Sequence, residues 1–192
     1  LLSSAASDVY KRQIKFFLEK LKQNAEEIGD SLDQDRYARI KVFMEEDDGK
    51  QFFMINNVDL DEDPEIIEGI QEGDSAEIIL GKYTDHVFPE IFKRASHPIF
   101  MGSSIHRSMD IIGIENAEIW DSVGVIRYKS RRALMELATN PIFERKHKFK
   151  VAALEKTIAY PVKLGFYLGD PRIVLAFILL IIGLLVRPIT RK

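Results

Sequence analysis

The residues best suited to chemistry are four polar side chains: Asn56, Tyr83, His86 and Arg127. Tyr83 and His86 stand one helical turn apart, so on a helix they would lie on one face and share a cleft. A phenol and an imidazole both transfer protons, which makes this pair the candidate for general acid or base catalysis. Asn56 and Arg127 lie in apolar runs and are the candidates for ligand binding.

Each of the two ligand-binding candidates also has a purely structural alternative. A charged side chain within an apolar strand must find a partner or reach water. For Arg127 the alternatives are an anionic ligand, a position at a sheet edge, or a nearby carboxylate such as Asp121 or Glu118. For Asn56 the alternative is hydrogen bonding at the end of a strand.

No pattern typical of a metal or cofactor site occurs in the sequence. The remaining histidines, His97, His106 and His147, do not form the HExxH pattern of a zinc helix. The acidic residues between 59 and 75 lack the spacing and central glycine of an EF-hand. The chain contains no cysteine, which excludes disulfides, thiolate nucleophiles and cysteine-bound metal clusters. The sequence therefore predicts neither a metal nor a cofactor.

The composition is that of a folded protein and argues against nucleic acid as its main partner. Hydrophobic residues make up 46% of the 192 residues and charged residues 30%. The net charge of -3 argues against a nucleic-acid partner, because phosphate binding needs a basic surface. A basic cluster surrounds His147 and is predicted to be a solvated helix face, with anionic lipid as the alternative partner; it comprises Arg145, Lys146, Lys148 and Lys150.

The first 50 residues are predicted to lie outside the main domain. Residues 1–13 resemble a string found at the ends of translated environmental sequence fragments and are expected to be a non-native or disordered lead. From Ile14 to Ile28 the apolar residues recur at spacings of three and four, which predicts an amphipathic helix. The run from Ile40 to Met44 and the turn signal Asp48-Gly49 complete a hairpin-like extension over residues 14–50.

Residues 51–163 are predicted to form one α+β domain. Capping signals at Ser75, Ser130 and Asn140 begin its helices, and Pro89 is expected to kink the first of them. The last helix is expected to end near Tyr160, where a final strand begins. The other strands are predicted at 52–58, 99–105, 111–114 and 120–128. Apart from the short strand at 111–114, the order is strand, helix, strand, strand, helix, strand. This is the split βαβ or ferredoxin-like arrangement. The open face of its sheet would be buried most readily against a second copy.

The segment from Phe52 to Val162 resembles an uncharacterised family of the dimeric α/β-barrel superfamily. The resemblance rests on FFMINNVDL, GDSAEIILGKYTDHVFPEIFKRASHPIFMG, IWDSVGVIRYKSRRALMELATNPIF and HKFKVAALEKT, and WDSVGVIRYKSRRALME is its most specific part. It implies a ferredoxin-like homodimer whose sheets pair into a closed barrel. The superfamily includes cofactor-free monooxygenases, muconolactone-type isomerases, dye-decolourising peroxidases and chlorite dismutases. This family has no agreed reaction, so the resemblance supplies no catalytic residues.

Residues 164–192 are predicted to be a membrane anchor with a basic tail. No polar side chain occurs from Ile173 to Val186, and arginines flank the run at Arg172 and Arg187. A membrane-spanning helix needs about 20 apolar residues and at least roughly 17, which the segment from Pro171 to Ile189 reaches if the arginines snorkel. A helix buried in an oligomer is the alternative. We expect a single-pass C-terminal anchor with the domain in the cytoplasm, although the basic tail would favour the opposite orientation.

Two functions of different classes are compatible with these features. The first is a membrane-anchored homodimer that binds a small molecule or serves as an assembly module. The second is a cofactor-free enzyme, monooxygenase-like or isomerase-like, that acts on a small apolar or aromatic substrate between sheet and helices. In that case Tyr83 or His86 would transfer the proton, and Asn56 and Arg127 would bind the substrate. The sequence leaves open whether the protein is an enzyme.

Overall fold

The computed structural model describes residues 4–27, 33–165 and 171–186. They belong to two units, one that ends at Val162 and one that begins at Lys163. In chain order the elements are α1 (Ser4–Glu27), α2 (Gln34–Glu45), β1 (Phe52–Leu60), α3 (Ala76–Lys93), β2 (His97–Ser103), β3 (Ser122–Tyr128), α4 (Arg131–Ala138), α5 (Pro141–Ala152), β4 (Leu154–Val162) and α6 (Pro171–Val186).

The four strands form one antiparallel sheet in the order β2-β3-β1-β4. Strands β1 and β3 therefore lie at the centre, and β2 and β4 lie at the edges. With α3 between β1 and β2, and α4 and α5 between β3 and β4, this is the split βαβ topology. The predicted ferredoxin-like α+β fold is confirmed.

Helices cover one face of the sheet. Phe52 of β1 stacks on Tyr128 of β3 with ring centroids 5.4 Å apart, and Leu137 of α4 packs against them. From α3, Val87 and Ile91 are buried in the same cluster. Because side chains alternate along a strand, Met54 and Ile126 point to this helix-covered face as well. These contacts form the central core.

The opposite face of the sheet remains apolar and partly exposed. It carries Ile55 and Val125, which are paired across β1 and β3. On the edge strands, Phe100 is 54% exposed and Tyr160 is 42% exposed. The pairing between β2 and β3 shifts register between Pro98 and Phe100. The predicted burial of this open face by a second copy stays a prediction.

The two N-terminal helices pack on α4 through a second apolar cluster. Ile14, Phe17 and Leu18 of α1 meet Met44 of α2 and Met135 of α4. Hydrogen bonds reinforce the contact, since the hydroxyl of Tyr10 donates to the Met44 carbonyl at 2.8 Å and Arg131 donates to the Phe43 carbonyl. The N-terminal helices are thus part of the compact unit.

The structure corrects two predictions for the N-terminal region. The segment 34–45 is a helix and not part of a hairpin, because Tyr37, Ile40 and Met44 follow a helical spacing and Asp33 caps the first turn by accepting from the Arg36 amide at 2.6 Å. The first helix begins at Ser4, within the part expected to be a non-native or disordered lead, so residues 4–13 are helical and their non-native origin stays a prediction. Its predicted end near Ile28 lies outside the described residues.

Two elements of the main domain also differ from the prediction. Residues 111–114 form no strand. Helix α5 ends at Ala152, and residues 154–162 pair with β1 as β4, because ladder hydrogen bonds compete successfully with the helix for this segment. Pro89 lies within α3, which continues through it to Lys93, and the predicted kink at Pro89 stays a prediction. The predicted break at Asn140 is confirmed, and its side chain caps α5 by accepting from the Ile142 amide at 2.8 Å.

The second unit contains helix α6, which has 16 residues and only apolar side chains or glycine from Ile173 to Val186. Across residues 4–27, 33–165 and 171–186, no helix has both the length and the apolar character needed to cross a membrane. The residues that follow Val186, including Arg187 and the rest of the basic tail, lie outside the described part of the chain.

Candidate ligand-binding cavity

A cavity of about 510 Å³ lies on the helix-covered side of the sheet, beside edge strand β4. Its floor contains Met54 of β1 and Ala159 and Pro161 of β4, which neighbour one another across the sheet. Helices α1, α2, α4 and α5 supply the walls, and most of the lining is apolar; the wall residues include Leu21, Ala25, Ile40, Phe43, Leu134, Ala138 and Phe143. Its volume falls within the roughly 300–1,000 Å³ usual for small-molecule sites.

Asn24 of α1 places an unpartnered carboxamide in the apolar wall. The residue is only 7% exposed, and neither its Nδ2 nor its Oδ1 atom has a hydrogen-bond partner within the described ranges. An unsatisfied buried polar group costs about 1–3 kcal/mol of stability. Because both atoms are themselves buried, the carboxamide lowers the stability of this part of the wall.

The cavity also has a charged and aromatic section built by α2 and α5. Arg36 and Arg39 of α2 line it and are exposed, so they lie where it meets solvent. Glu144 and His147 of α5 line the opposite side. The His147 ring lies 5.5 Å from the Phe143 ring, measured between centroids. The arrangement joins an apolar interior to a polar rim.

Glu144 and Glu27 bring two carboxyl groups together between α5 and α1. Burial raises the pKa of Glu144, and its hydrogen bond with Glu27 and the charge of that residue raise it further. The positive charges of Lys20 and Arg145 oppose this effect. A proton shared between the carboxyl groups is favoured because two ionised carboxylates at hydrogen-bonding distance repel each other.

Replacing Glu144 with glutamine should stabilise the protein near neutral pH. The folded-state pKa of Glu144 is raised, so wild-type stability falls as the pH rises from the ordinary glutamate value of 4.5 through the folded-state pKa. Glutamine stays neutral and keeps a hydrogen-bonding group at every pH. The gain in thermal unfolding midpoint should therefore be largest at pH 7 and shrink below about pH 4.5.

The control for this pH series is Glu65→Gln, which alters an exposed loop glutamate. It should leave the pH profile of the unfolding midpoint close to that of the wild type. If Glu144→Gln raised the unfolding midpoint equally at pH 4 and pH 7, ionisation of the carboxyl pair would not be what destabilises the folded wild type.

The structure does not bring the four sequence-derived candidates together. Tyr83 lies behind the cavity wall, with its ring centroid 5.8 Å from that of Phe143 and 6.3 Å from that of His147, and burial raises the pKa of its phenol. His86 instead lines a separate, open depression of about 470 Å³, together with the basic residues of α5. Its Nδ1 atom lies 3.1 Å from the Lys82 carbonyl oxygen.

Asn56 and Arg127 are engaged in structural hydrogen bonds. The Asn56 amide donates to the carbonyls of Met54 at 3.2 Å and of Gly124 at 3.4 Å. The Arg127 guanidinium donates to the Gln51 side chain at 2.9 Å and to the Ala95 carbonyl at 2.7 Å. These contacts give Arg127 partners other than the carboxylates considered for it.

The residues that line the main cavity were not identified from the sequence, although the position of Asn24 in the sequence indicates a polar residue on a buried helix face. Helical spacing places Asn24 on the same stripe as the apolar Phe17 and Leu21, so it is a polar residue on a buried face. His147 was considered only as part of a basic surface cluster. Its position in the cavity depends on the packing of α1 and α2 against α5, for which the local sequence gives no signal.

Comparison with known proteins supports the fold alone. No protein-family model matches the sequence, and no curated protein matches it either. RPA0582, a protein of unknown function from Rhodopseudomonas palustris, is similar in structure, with a TM-score of 0.56 at 18% identity over 70% of this chain and 95% of that chain. Its methylated form gives a TM-score of 0.57 at 20% identity over 72% and 95%. Identities this low establish a shared fold and carry no function.

A looser likeness is to a dimeric protein of unknown function and ferredoxin-like fold from Bacteroides fragilis. It has 9% identity and a TM-score of 0.36 over 59% of this chain and 96% of that chain. A likeness at this level carries no argument about the assembly of the present chain.

Proposed function

We propose that the compact unit binds a small, mostly apolar molecule in the cavity between the sheet and helices α1, α2, α4 and α5. The observation that carries this proposal is a mostly apolar cavity of about 510 Å³ that Arg36, Arg39, Glu144 and His147 also line. Apolar walls with a few convergent polar groups are typical of small-molecule sites.

Binding is better supported than the alternative of acid–base catalysis by Tyr83 and His86. Such catalysis needs the proton-transferring groups and the binding groups within reach of one substrate. None of the four candidates lines the main cavity, and only His86 lines the open depression. A binding function requires only the shape and polarity of the cavity.

Filling the cavity should abolish binding. Ala138 lines it from α4, and Ala138→Trp would place an indole in the space that a ligand needs. We expect the full chain to bind the neutral fluorescent probe N-phenyl-1-naphthylamine, and the variant to bind it at least about tenfold more weakly. The matched control is Ala38→Trp, an exposed position on α2 outside the cavity lining. Absence of binding by the wild type, or equal binding by Ala138→Trp, would refute the proposal.

We also propose that a second copy covers the open face of the sheet. The partly exposed apolar residues of this face support the proposal, as does the family resemblance. Light scattering of the purified full chain in detergent should then give the mass of a dimer. Introducing aspartate at Phe100 and Tyr160 together should give a monomer; a wild-type monomer at micromolar concentration would reject a stable dimer.

The third part of the proposal is that α6 belongs to a C-terminal membrane anchor, with the domain in the cytoplasm. It is supported by the lack of polar side chains from Ile173 to Val186. The full chain should then require detergent for extraction from membranes, whereas a chain ending before Pro171 should not. Full solubility of the intact chain without detergent would remove the basis for an anchor. Digestion of the domain by protease added to intact cells would place the domain on the opposite side of the membrane.

A further inference from the structure

We infer that the segment between β2 and β3, residues 104–121, contacts a second copy of the chain and supplies most of the apolar surface of the dimer interface. This segment is called the β2–β3 arm below. The inference rests on the proposed dimer and names the segment that completes its contact. Exposure, attachment and charge of the arm carry it.

The β2–β3 arm exposes five large apolar side chains. Met109, Ile112 and Ile114 are 89%, 83% and 63% exposed. Ile105 and Ile119, which lie nearer the sheet, are 100% and 46% exposed. The arm contains no helix or strand, and connections longer than about 12–15 residues without such elements are usually functional or disordered. Large exposed apolar patches mark sites of interaction.

Hydrogen bonds between its two limbs hold the base of the arm in shape. The Ser104 amide donates to the Asp121 carbonyl at 2.7 Å, and the Ser108 amide donates to the Glu118 carbonyl at 2.9 Å. The Ser108 hydroxyl also donates to the Ala117 carbonyl at 2.7 Å. The arm is therefore partly ordered before it meets a partner, which lowers the entropy cost of binding.

The returning limb of the arm lies against the open face of the sheet. Because side chains alternate along a strand, Asp59 and Lys156 belong to the same face as Ile55. The Lys156 ammonium lies 3.0 Å from the Asp59 carboxylate and 5.3 Å from the centroid of the Trp120 ring. It also donates to the Asn116 side chain at 3.4 Å. The arm is thus joined to the surface on which the second copy is proposed to lie.

The open face alone offers less apolar surface than a homodimer usually buries. Such interfaces bury about 800 Å² on each partner, of which roughly 500 Å² is apolar. At about 200 Å² for a fully accessible large residue, the most exposed residues of the open face offer roughly 300 Å²; they are Phe100, Ile158 and Tyr160. The five residues of the arm offer roughly 750 Å² on the same basis. The dimer therefore reaches its usual size when the arm takes part.

The charges of the arm favour a protein partner over a membrane surface. It has one basic residue, Arg107, and four acidic residues: Asp110, Glu115, Glu118 and Asp121. Segments that lie on membranes combine apolar side chains with lysine and arginine, because many lipid head groups are anionic. A second copy is favoured over an unrelated protein because the arm adjoins the open face, and in a twofold dimer the same contact forms twice.

The first test changes the arm and measures dimerisation. Met109→Asp combined with Ile112→Asp should weaken the dimer at least about 100-fold, because both aspartates would be buried in the contact. Dissociation constants are measured by light scattering over a dilution series of the full chain in detergent. The control, Ile66→Asp with Ile78→Asp, adds the same charge at exposed positions outside the arm and the open face. It should remain within about threefold of the wild type.

The second test detects the contact without a disruptive substitution. The chain has no cysteine, so Ile105→Cys gives a single attachment point for a benzophenone photo-cross-linker at a fully exposed position. In a mixture of isotope-labelled and unlabelled chains, mass spectrometry should find the arm of one form joined to a peptide of the other. In vesicles of phosphatidylcholine and phosphatidylglycerol, cross-linking to lipid without a chain-to-chain product would replace the second copy by a membrane surface.

The outcomes separate this inference from the dimer on which it rests. A monomeric wild type rejects both. A wild-type dimer that the two arm substitutions leave unchanged overturns the arm contact and leaves the dimer intact, as does a dimer without a cross-link from the arm to the other chain. Equal weakening by the control pair would show a general effect of negative charge and would also overturn the arm contact.

Discussion

Replacing Leu18 with aspartate is expected to detach α1 and abolish binding in the cavity. Leu18 is 2% exposed and packs among apolar residues of α1, α2 and α4. An unpaired carboxylate in that cluster costs about 3–5 kcal/mol. Because α1 carries Leu21, Asn24 and Ala25 of the cavity wall, its detachment opens the cavity to water.

The measurement for Leu18→Asp combines hydrogen–deuterium exchange over α1 with titration of the naphthylamine probe. We expect fast exchange throughout α1 and loss of probe binding, while β1 and β3 remain protected. Phe16→Asp is the matched control, since Phe16 is 60% exposed on the same helix. Protected α1 amides in Leu18→Asp, or equal damage by Phe16→Asp, would contradict the proposed role of this contact.

Replacing Ile79 with alanine should cause a large loss of stability of the main domain. Ile79 of α3 is fully buried and packs against Ile70 and Phe149. Truncation to alanine leaves a void in the contact between α3 and α5 and costs about 2–5 kcal/mol of unfolding free energy. Urea denaturation followed by circular dichroism measures this cost as a lower midpoint.

The adjacent isoleucine provides the control for this substitution. Ile78 is 53% exposed, so Ile78→Ala removes the same atoms from the surface and should change the unfolding free energy by about 0.5 kcal/mol or less. The two variants share helix propensity and local sequence, so their difference reports burial alone. Similar midpoints for both variants would show that the cluster around Ile79 is not tightly packed.

The parts of the fold that sequence predicted are those with local signals. Ser75, Ser130 and Asn140 each cap a helix through the side chain, and each was recognisable because the capping group precedes the helix directly. The central strands were recognisable from apolar side chains on both faces. Helix α2 was missed because the apolar run of residues 40–44 is too short to distinguish a strand from a helix.

The cavity could not be predicted because distant segments build it. Its walls combine α1 and α2 with α4 and α5, which begin more than 80 residues later in the sequence. The residues chosen from sequence had conspicuous local contexts, but backbone groups explain two of them. Arg127 in its apolar strand donates to the Ala95 carbonyl, and Asn56 donates to carbonyls of the sheet. A polar residue in an apolar run therefore indicates a hydrogen-bond requirement more reliably than it indicates a ligand.

The two edge strands each contain a proline, Pro98 in β2 and Pro161 in β4. Proline has no N–H to offer an incoming strand, and the register shift beside Pro98 further disrupts that edge. Addition of a foreign strand, the first step of edge-to-edge aggregation, is therefore disfavoured at both borders of the sheet. The edges therefore hinder growth into a continuous intermolecular sheet. Of the surfaces of the sheet, the partly exposed apolar face is the one that favours contact with another chain.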